Sequence, residues 1–191
     1  MDAQTWLILV VSYLIGSIPN AILVSRWARH ADIEHLGDGN VGAKNVFVAV
    51  GPAAGILVGA LDILKGALVV LLARHFTTNE NIVMLAGVCA ILGHDFSIFI
   101  HFHGGQGLAT TAGVFLILFP QGTLLAAGAL ALTAVLTRNW DAACFVGTTL
   151  FFIQMLLTGQ PPKKILYAAI LLPLHGLRKL MQEWAIRHQP A

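Results

Sequence analysis

Apolar residues run through this chain in long blocks, separated by short segments rich in glycine, proline, asparagine and charge. Seven blocks stand out, at about 5–27, 53–73, 81–93, 107–119, 121–137, 142–158 and 164–182. Roughly 20 apolar residues cross a bilayer, so the longer blocks predict membrane-spanning helices. The third and fourth are short and flank a polar segment, which predicts helices that give way to a re-entrant loop. Pro120, Gly122 and the pair Pro161-Pro162 mark turns. The pattern predicts an all-α polytopic membrane protein of about seven transmembrane helices with glycine-rich loops, built as one integral membrane domain over residues 1–191.

The polar segment between the third and fourth blocks runs from Gly93 to Thr110 and holds Gly104, Gly105 and Gly107 within four positions. Unpaired amides in hydrocarbon cost several kcal/mol each, so such backbone survives only against protein or in a wet cavity. Closely spaced glycines also let a backbone approach a ligand and present N–H groups to an anion. The segment reads either as the floor of a polar site or as a tight turn between helices.

Composition sharpens the class. Hydrophobic residues make up 57% of the 191, and charged residues 10%, against about a quarter in soluble domains. Mean hydropathy is +0.79. No basic segment precedes the first block and no small-residue cleavage site follows it, so it is expected to be retained as a helix. A formal charge of +2 gives no reason to expect nucleic acid as a partner. Cys89 and Cys144 lie inside apolar blocks and read as small buried hydrophobes. Orientation follows from the short loops. With the N-terminus outside, Arg26, Arg29, Lys44, Arg138, Arg178, Lys179 and Arg187 fall inside, and Arg74, Lys163 and Lys164 outside, as the positive-inside rule prefers. That puts the loops around Gly37–Gly51, Gly93–Gly107 and Arg138 on the cytoplasmic face.

Asp62 and Lys65 are three apart on one helix face and read as an intramembrane ion pair, or as a cation offered to a site. The loop from Asp32 to Asn45 has glycines at Gly37 and Gly42 but fails as a Walker loop, because Ala43 follows Gly42 and no strand precedes it. What remains is a glycine- and asparagine-rich turn with one lysine before a helix, a setting that can wrap a phosphate. His94, His101 and His103 lack the spacing of a helical zinc motif, so no metal is expected. A Gly-x-Ser-x-Gly nucleophile elbow is absent, as is a His followed five places on by Asp.

Five motifs together resemble one family. Gly16-Ser17-Ile18-Pro19, Gly37 to Val46, Asp62-Ile63-Leu64-Lys65-Gly66, Gly93-His94-Asp95-Phe96 and Gly104 to Thr110 stand in the order and near the spacing of the bacterial acyl-phosphate:glycerol-3-phosphate acyltransferases, the PlsY family. The resemblance implies seven membrane helices in the bacterial inner membrane, an active face toward the cytoplasm and no cofactor. It implies transfer of an acyl chain from acyl phosphate to glycerol 3-phosphate, or a related small acceptor, to form lysophosphatidic acid for phospholipid synthesis. Carried onto this chain, it gives His94, Asn40, Asn45 and Arg138 as catalytic residues. Substrate would meet Gly39, Gly42, Lys44, Gly104, Gly105, Gln106, Gly107 and His175. The pattern departs from the family at several polar positions: Asp38 stands for serine, Lys44 for threonine, Val48 near an arginine, and Gln106 for lysine. A His-Arg-x-Asn-Ile tail is reduced to His175-Gly176-Leu177-Arg178. These departures leave a second expectation, an inactive paralogue that binds lipid or acyl phosphate as a regulatory membrane protein.

Overall fold

The computed structural model describes residues 2–172. It contains helices α1 (Ala3–Gly16), α2 (Asn20–Arg29), α3 (Ala43–Ala49), α4 (Pro52–Phe76), α5 (Glu80–Asp95), α6 (Leu108–Leu118), α7 (Pro120–Thr137) and α8 (Trp140–Leu157). A further helix is described over 162–172, and single 3-10 turns lie at Ile33–His35 and Ile98–Ile100. Local signals start the helices. Asp2, Asn79 and Asn139 cap α1, α5 and α8 through their side-chain oxygens, and Pro52 and Pro120 open α4 and α7, where the missing amide is not needed.

The chain is an all-α polytopic membrane protein. Among the described residues, Ala3–Arg29, Pro52–Phe76, Glu80–Ile100, Pro120–Thr137 and Trp140–Leu157 are long and apolar enough to cross a membrane. Two blocks differ from expectation: the first is broken into α1 and α2 at Ser17-Ile18-Pro19, and the third, expected short, is long enough to cross as Glu80–Ile100. The fourth is, as expected, short, the 11-residue α6. The block expected at 164–182 is helical as far as 172, and the rest lies outside the described residues.

Two compact units divide the chain, one running to Val114 and the other beginning at Phe115. In the first unit, glycines bring helices into backbone contact. A methyl group on Gly16 would strike the Ala90 carbonyl, and one on Gly93 would strike the Tyr13 carbonyl, so α1 and α5 pack without side chains between them. Gly66 and Gly113 do the same for α4 and α6 against the carbonyls of Thr110 and Ile63. Small residues are how membrane helices gain van der Waals contact where lipid removes the hydrophobic incentive. Near the ends of these helices, Ile22, Val24, Ile33, Val41, Val46 and Val58 form one buried cluster.

The second unit is built on α7 and α8, where Gly147 leaves room for the Ala126 carbonyl. Phe115, Phe119, Phe151 and Tyr167 pack as rings, with Phe115 and Phe151 stacked at 5.1 Å and Phe119 edge-on to Phe151 at 6.0 Å.

Candidate active site

Pro19 has no amide hydrogen with which to continue a helix, so α1 ends and α2 begins anew at Asn20. The carbonyls exposed by this break find donors. Ser17 O accepts from Ser97 Oγ at 2.5 Å, while Ile18 O accepts from the Asn20 amide at 3.0 Å and from Lys65 Nζ at 2.9 Å. Lys65 Nζ also lies 3.0 Å from Asp62 Oδ1, which accepts from Asn20 Nδ2 at 2.9 Å and stands 3.6 Å from His94 Nδ1. One carboxylate oxygen therefore draws groups from α2, α4 and α5 together. Asp62 and Lys65 are only 2% and 6% exposed, as intramembrane charges must be unless they meet water.

The loop before α3 is tied by a single side chain. Asn45 Nδ2 donates to the carbonyls of Leu36 at 2.8 Å, Asn40 at 3.0 Å and Ile33 at 3.4 Å, and its Oδ1 accepts from the Asp38 amide at 3.2 Å. Gly37 and Gly39 take left-handed backbone at φ 62° and 70°, and the bare Cα of Gly37 leaves room for Asn45 Oδ1. Asp38 Oδ1 turns back to accept from the Asn40 amide at 3.1 Å, a local Asx turn. Lys44 is exposed on the first turn of α3.

His94, in the last turn of α5, meets the glycine-rich segment at its backbone and at its ring. Its carbonyl accepts from the Gly105 amide at 3.2 Å. A Cβ on Gly104 would collide with the His94 carbonyl, and one on Gly105 with His94 Nε2, while crowding Val41 O at 3.0 Å. The turn ending at Val41 and the wall at Gly104-Gly105 thus touch each other across His94. Gln106 is half-buried, and Gly107 leads into α6, whose Thr111 amide bonds back to the Gly107 carbonyl at 2.8 Å.

These contacts line a small cavity where Ser17, Asn20, Asp62, His94 and Ser97 meet Ile18, Pro19, Ala21, Val41, Ile100 and the backbone of Gly104 and Gly105. Its free volume is about 10 Å³, room for roughly one water. Beside it runs an apolar groove of about 350 Å³ between α1 and α4, lined by Ile15, Leu61, Leu64, Lys65 and Leu68. Ile18 and Asn20 line both, so the helix break is the wall that cavity and groove share. Leu64 and Leu68 are 61% and 47% exposed at the groove's rim, where lipid would lie.

Of the residues singled out in the sequence, His94, Gly104 and Gly105 line the cavity, and Asn45 holds the loop that reaches it through Val41. Asn40, Gly39 and Gly42 belong to that loop without lining the cavity. Arg138 closes α7 in left-handed backbone within the second unit. His175 lies outside the described residues. Asn20, which bonds Asp62 and lines both spaces, does not stand out in the sequence; a polar residue directly after Pro19 inside an apolar block is the signal that marks it.

Comparison with known proteins points one way. A family profile described as glycerol-3-phosphate acyltransferase matches residues 6–188. A glycerol-3-phosphate acyltransferase of Pseudomonas savastanoi pv. phaseolicola is 39% identical over 171 residues, covering 90% of this chain and 88% of its own. The crystal structure of PlsY (YgiH), an integral membrane glycerol 3-phosphate acyltransferase, superposes in its glycerol 3-phosphate form with a TM-score of 0.85 at 28% identity, over 96% of this chain and 92% of that one. Its lysophosphatidic acid form superposes at 0.83 over the same shares.

Proposed function

Because the chain belongs to the glycerol-3-phosphate acyltransferase family, we propose that it moves an acyl chain from acyl phosphate to the 1-hydroxyl of glycerol 3-phosphate at the cytoplasmic face of a bacterial inner membrane. The observation that carries the choice of donor is the shared wall at Ile18 and Asn20: a small cavity with Asp62 and His94 in its lining on one side, a lipid-facing apolar groove on the other. Acyl phosphate has that shape, a phosphate head joined through a carbonyl to a long chain. In this reading the head enters the cavity between His94 and the Gly104-Gly105 wall, and the chain lies along Leu61, Leu64 and Leu68.

A cavity of about 10 Å³ is smaller than a phosphate group, so the turn at Gly39–Gly42 and the wall at Gly104–Gly107 part to admit it. Asn45 keeps the first of these a single unit as it moves, and His94 does so for the second. Asn40, Gly39, Gly42 and Lys44 face the incoming acceptor phosphate from the loop before α3, while Gln106, Gly107 and the N-terminal end of α6 face the donor. No protein nucleophile is required. The acyl phosphate is a mixed anhydride, so the hydroxyl oxygen attacks its carbonyl carbon, the carbon–oxygen bond to phosphate breaks, and the hydroxyl proton passes to the departing phosphate. Holding the two substrates in line supplies much of the rate.

The test is turnover of the purified protein in lipid with palmitoyl phosphate and glycerol 3-phosphate, set beside palmitoyl-CoA. Lysophosphatidic acid formed from the phosphate donor, and not from the thioester, supports the reading. A protein-free rate with palmitoyl phosphate contradicts it and favours a binding protein without transfer activity.

A further inference from the structure

The ion pair on α4 stands where cavity and groove meet. We propose that Lys65 is a further catalytic residue, its remaining N–H donating to the acyl carbonyl oxygen of the donor as that oxygen takes on negative charge. The inference rests on the placing of acyl phosphate across the cavity and the groove.

Given that placing, the position of the carbonyl is fixed by connectivity. It joins the phosphate to the chain, so it crosses the wall made by Ile18 and Asn20. Lys65 lines the groove side of that wall and its partner Asp62 lines the cavity side. The ammonium has three N–H donors, and two are directed to Ile18 O at 2.9 Å and Asp62 Oδ1 at 3.0 Å. The proposal gives the third to a ligand at the wall, with the buried Asp95 carboxylate of α5 acting on the same ammonium.

A purely structural role explains the lysine poorly. The Ile18 carbonyl already accepts from the Asn20 amide at 3.0 Å, so it does not need the ammonium. Asn20 likewise gives Asp62 a hydrogen bond. Replacing a buried ion pair by apolar residues is often neutral or stabilising, so such a pair is weak support for a stabilising role. A preorganised donor at a carbonyl is different, because it polarises the bound carbonyl and acts most strongly on the charge that develops in the transition state. Asp62 then serves as a positioning residue. Its carboxylate holds the ammonium in place and balances its charge while the donor is absent.

The step balances without proton transfer from the lysine. As the acceptor oxygen bonds to the carbonyl carbon, the carbonyl electron pair moves to its oxygen, where Lys65 binds it. The pair then returns, the bond to phosphate breaks, and the hydroxyl proton leaves with the phosphate.

Two measurements test this, both on the full chain in lipid. The first is the infrared band of the carbonyl in [1-¹³C]palmitoyl phosphate, bound without acceptor. It should lie lower on the wild-type protein than in protein-free lipid, and a band at the lipid position overturns the proposal. The second compares wild type with the neutral pair Asp62→Asn/Lys65→Met, which avoids stranding a lone carboxylate. The expected result is a kcat about 10²–10³-fold lower with the KM for palmitoyl phosphate little changed, the size of loss seen for one oxyanion donor. An unchanged kcat in a folded, donor-binding variant overturns it. Should the pair variant fail to fold, the wild-type band still decides. Failure of the wild type to use palmitoyl phosphate at all would instead strike the proposed function.

Discussion

Asn45 Nδ2 donates to the carbonyl of Asn40 at 3.0 Å, and the same amide reaches Leu36 and Ile33, so one side chain on α3 closes the whole turn that precedes it. Asn45 is 3% exposed and spends its hydrogen bonds on the loop rather than offering them to solvent. Asn45→Ala removes three hydrogen bonds that hold the turn, while Ile33 O and Leu36 O keep backbone donors, a loss of about 1–3 kcal/mol. Thermal unfolding in detergent should fall accordingly, with the KM for glycerol 3-phosphate raised more than that for the acyl donor.

Gly105 sits against the ring of His94 and the carbonyl of Val41. Gly105→Ala drives a methyl group into both, and displacement of the wall by even 1 Å is worth about a hundredfold in rate. Turnover should drop by that order while the protein still folds. His94→Ala removes one of the two collisions, so a double variant should lose less than the two single losses combined.

Gly66 and Gly113 mark the contact of α4 with α6, where backbone meets backbone. Gly66→Val or Gly113→Val overpacks that contact and should lower stability by about 1–3 kcal/mol, read as a lower unfolding temperature in lipid. Gly128, on α7, has open space where a methyl group would stand, with nothing within 4 Å, so Gly128→Ala should be tolerated or mildly stabilising.

Ser97 Oγ donates to Ser17 O at 2.5 Å, tying the end of α5 to the helix break. Ser97→Ala leaves Ser17 O without that donor and should cost about 1–3 kcal/mol. Ser97→Thr keeps the hydroxyl and should recover most of the loss, measured by the same unfolding assay.

The pattern this chain resembles carries lysine and serine where Gln106 and Asp38 stand here. A charge-assisted hydrogen bond contributes roughly 1.5–3 kcal/mol. Gln106→Lys should therefore raise kcat/KM for palmitoyl phosphate, and Asp38→Ser, which removes a negative charge from the loop before α3, that for glycerol 3-phosphate, each by about ten- to a hundredfold. No change in either the single or the double variants would mean that the phosphate is held from another side.

How much of this is written in the chain differs from element to element. The apolar blocks foretell the all-α membrane fold, because a bilayer leaves few other solutions for such a sequence. The pairing of Asp62 with Lys65 follows from their spacing of three on one helix. The break at Ser17-Ile18-Pro19 does not show in the apolar pattern. Hydropathy carries no sign of it, and what supports it is a donor for the Ser17 carbonyl, Ser97, supplied from 80 residues away. Asn45 likewise reads as a catalytic residue in the sequence, since its residue type suits either task. Only its four loop partners tell the two apart, and they are set by the fold of the turn. The groove leaves no mark in the sequence, because Ile15, Leu61, Leu64 and Leu68 look like any lipid-facing positions until α1 and α4 are placed beside each other.

The most direct measurement uses palmitoyl phosphate carrying a photoreactive diazirine along its chain, irradiated on the protein in lipid and mapped by mass spectrometry. Labels on Ile15, Leu61, Leu64 and Leu68, displaced by unmodified palmitoyl phosphate, are the predicted result. Displaceable labels confined to α7 and α8, with none along this groove, would contradict it.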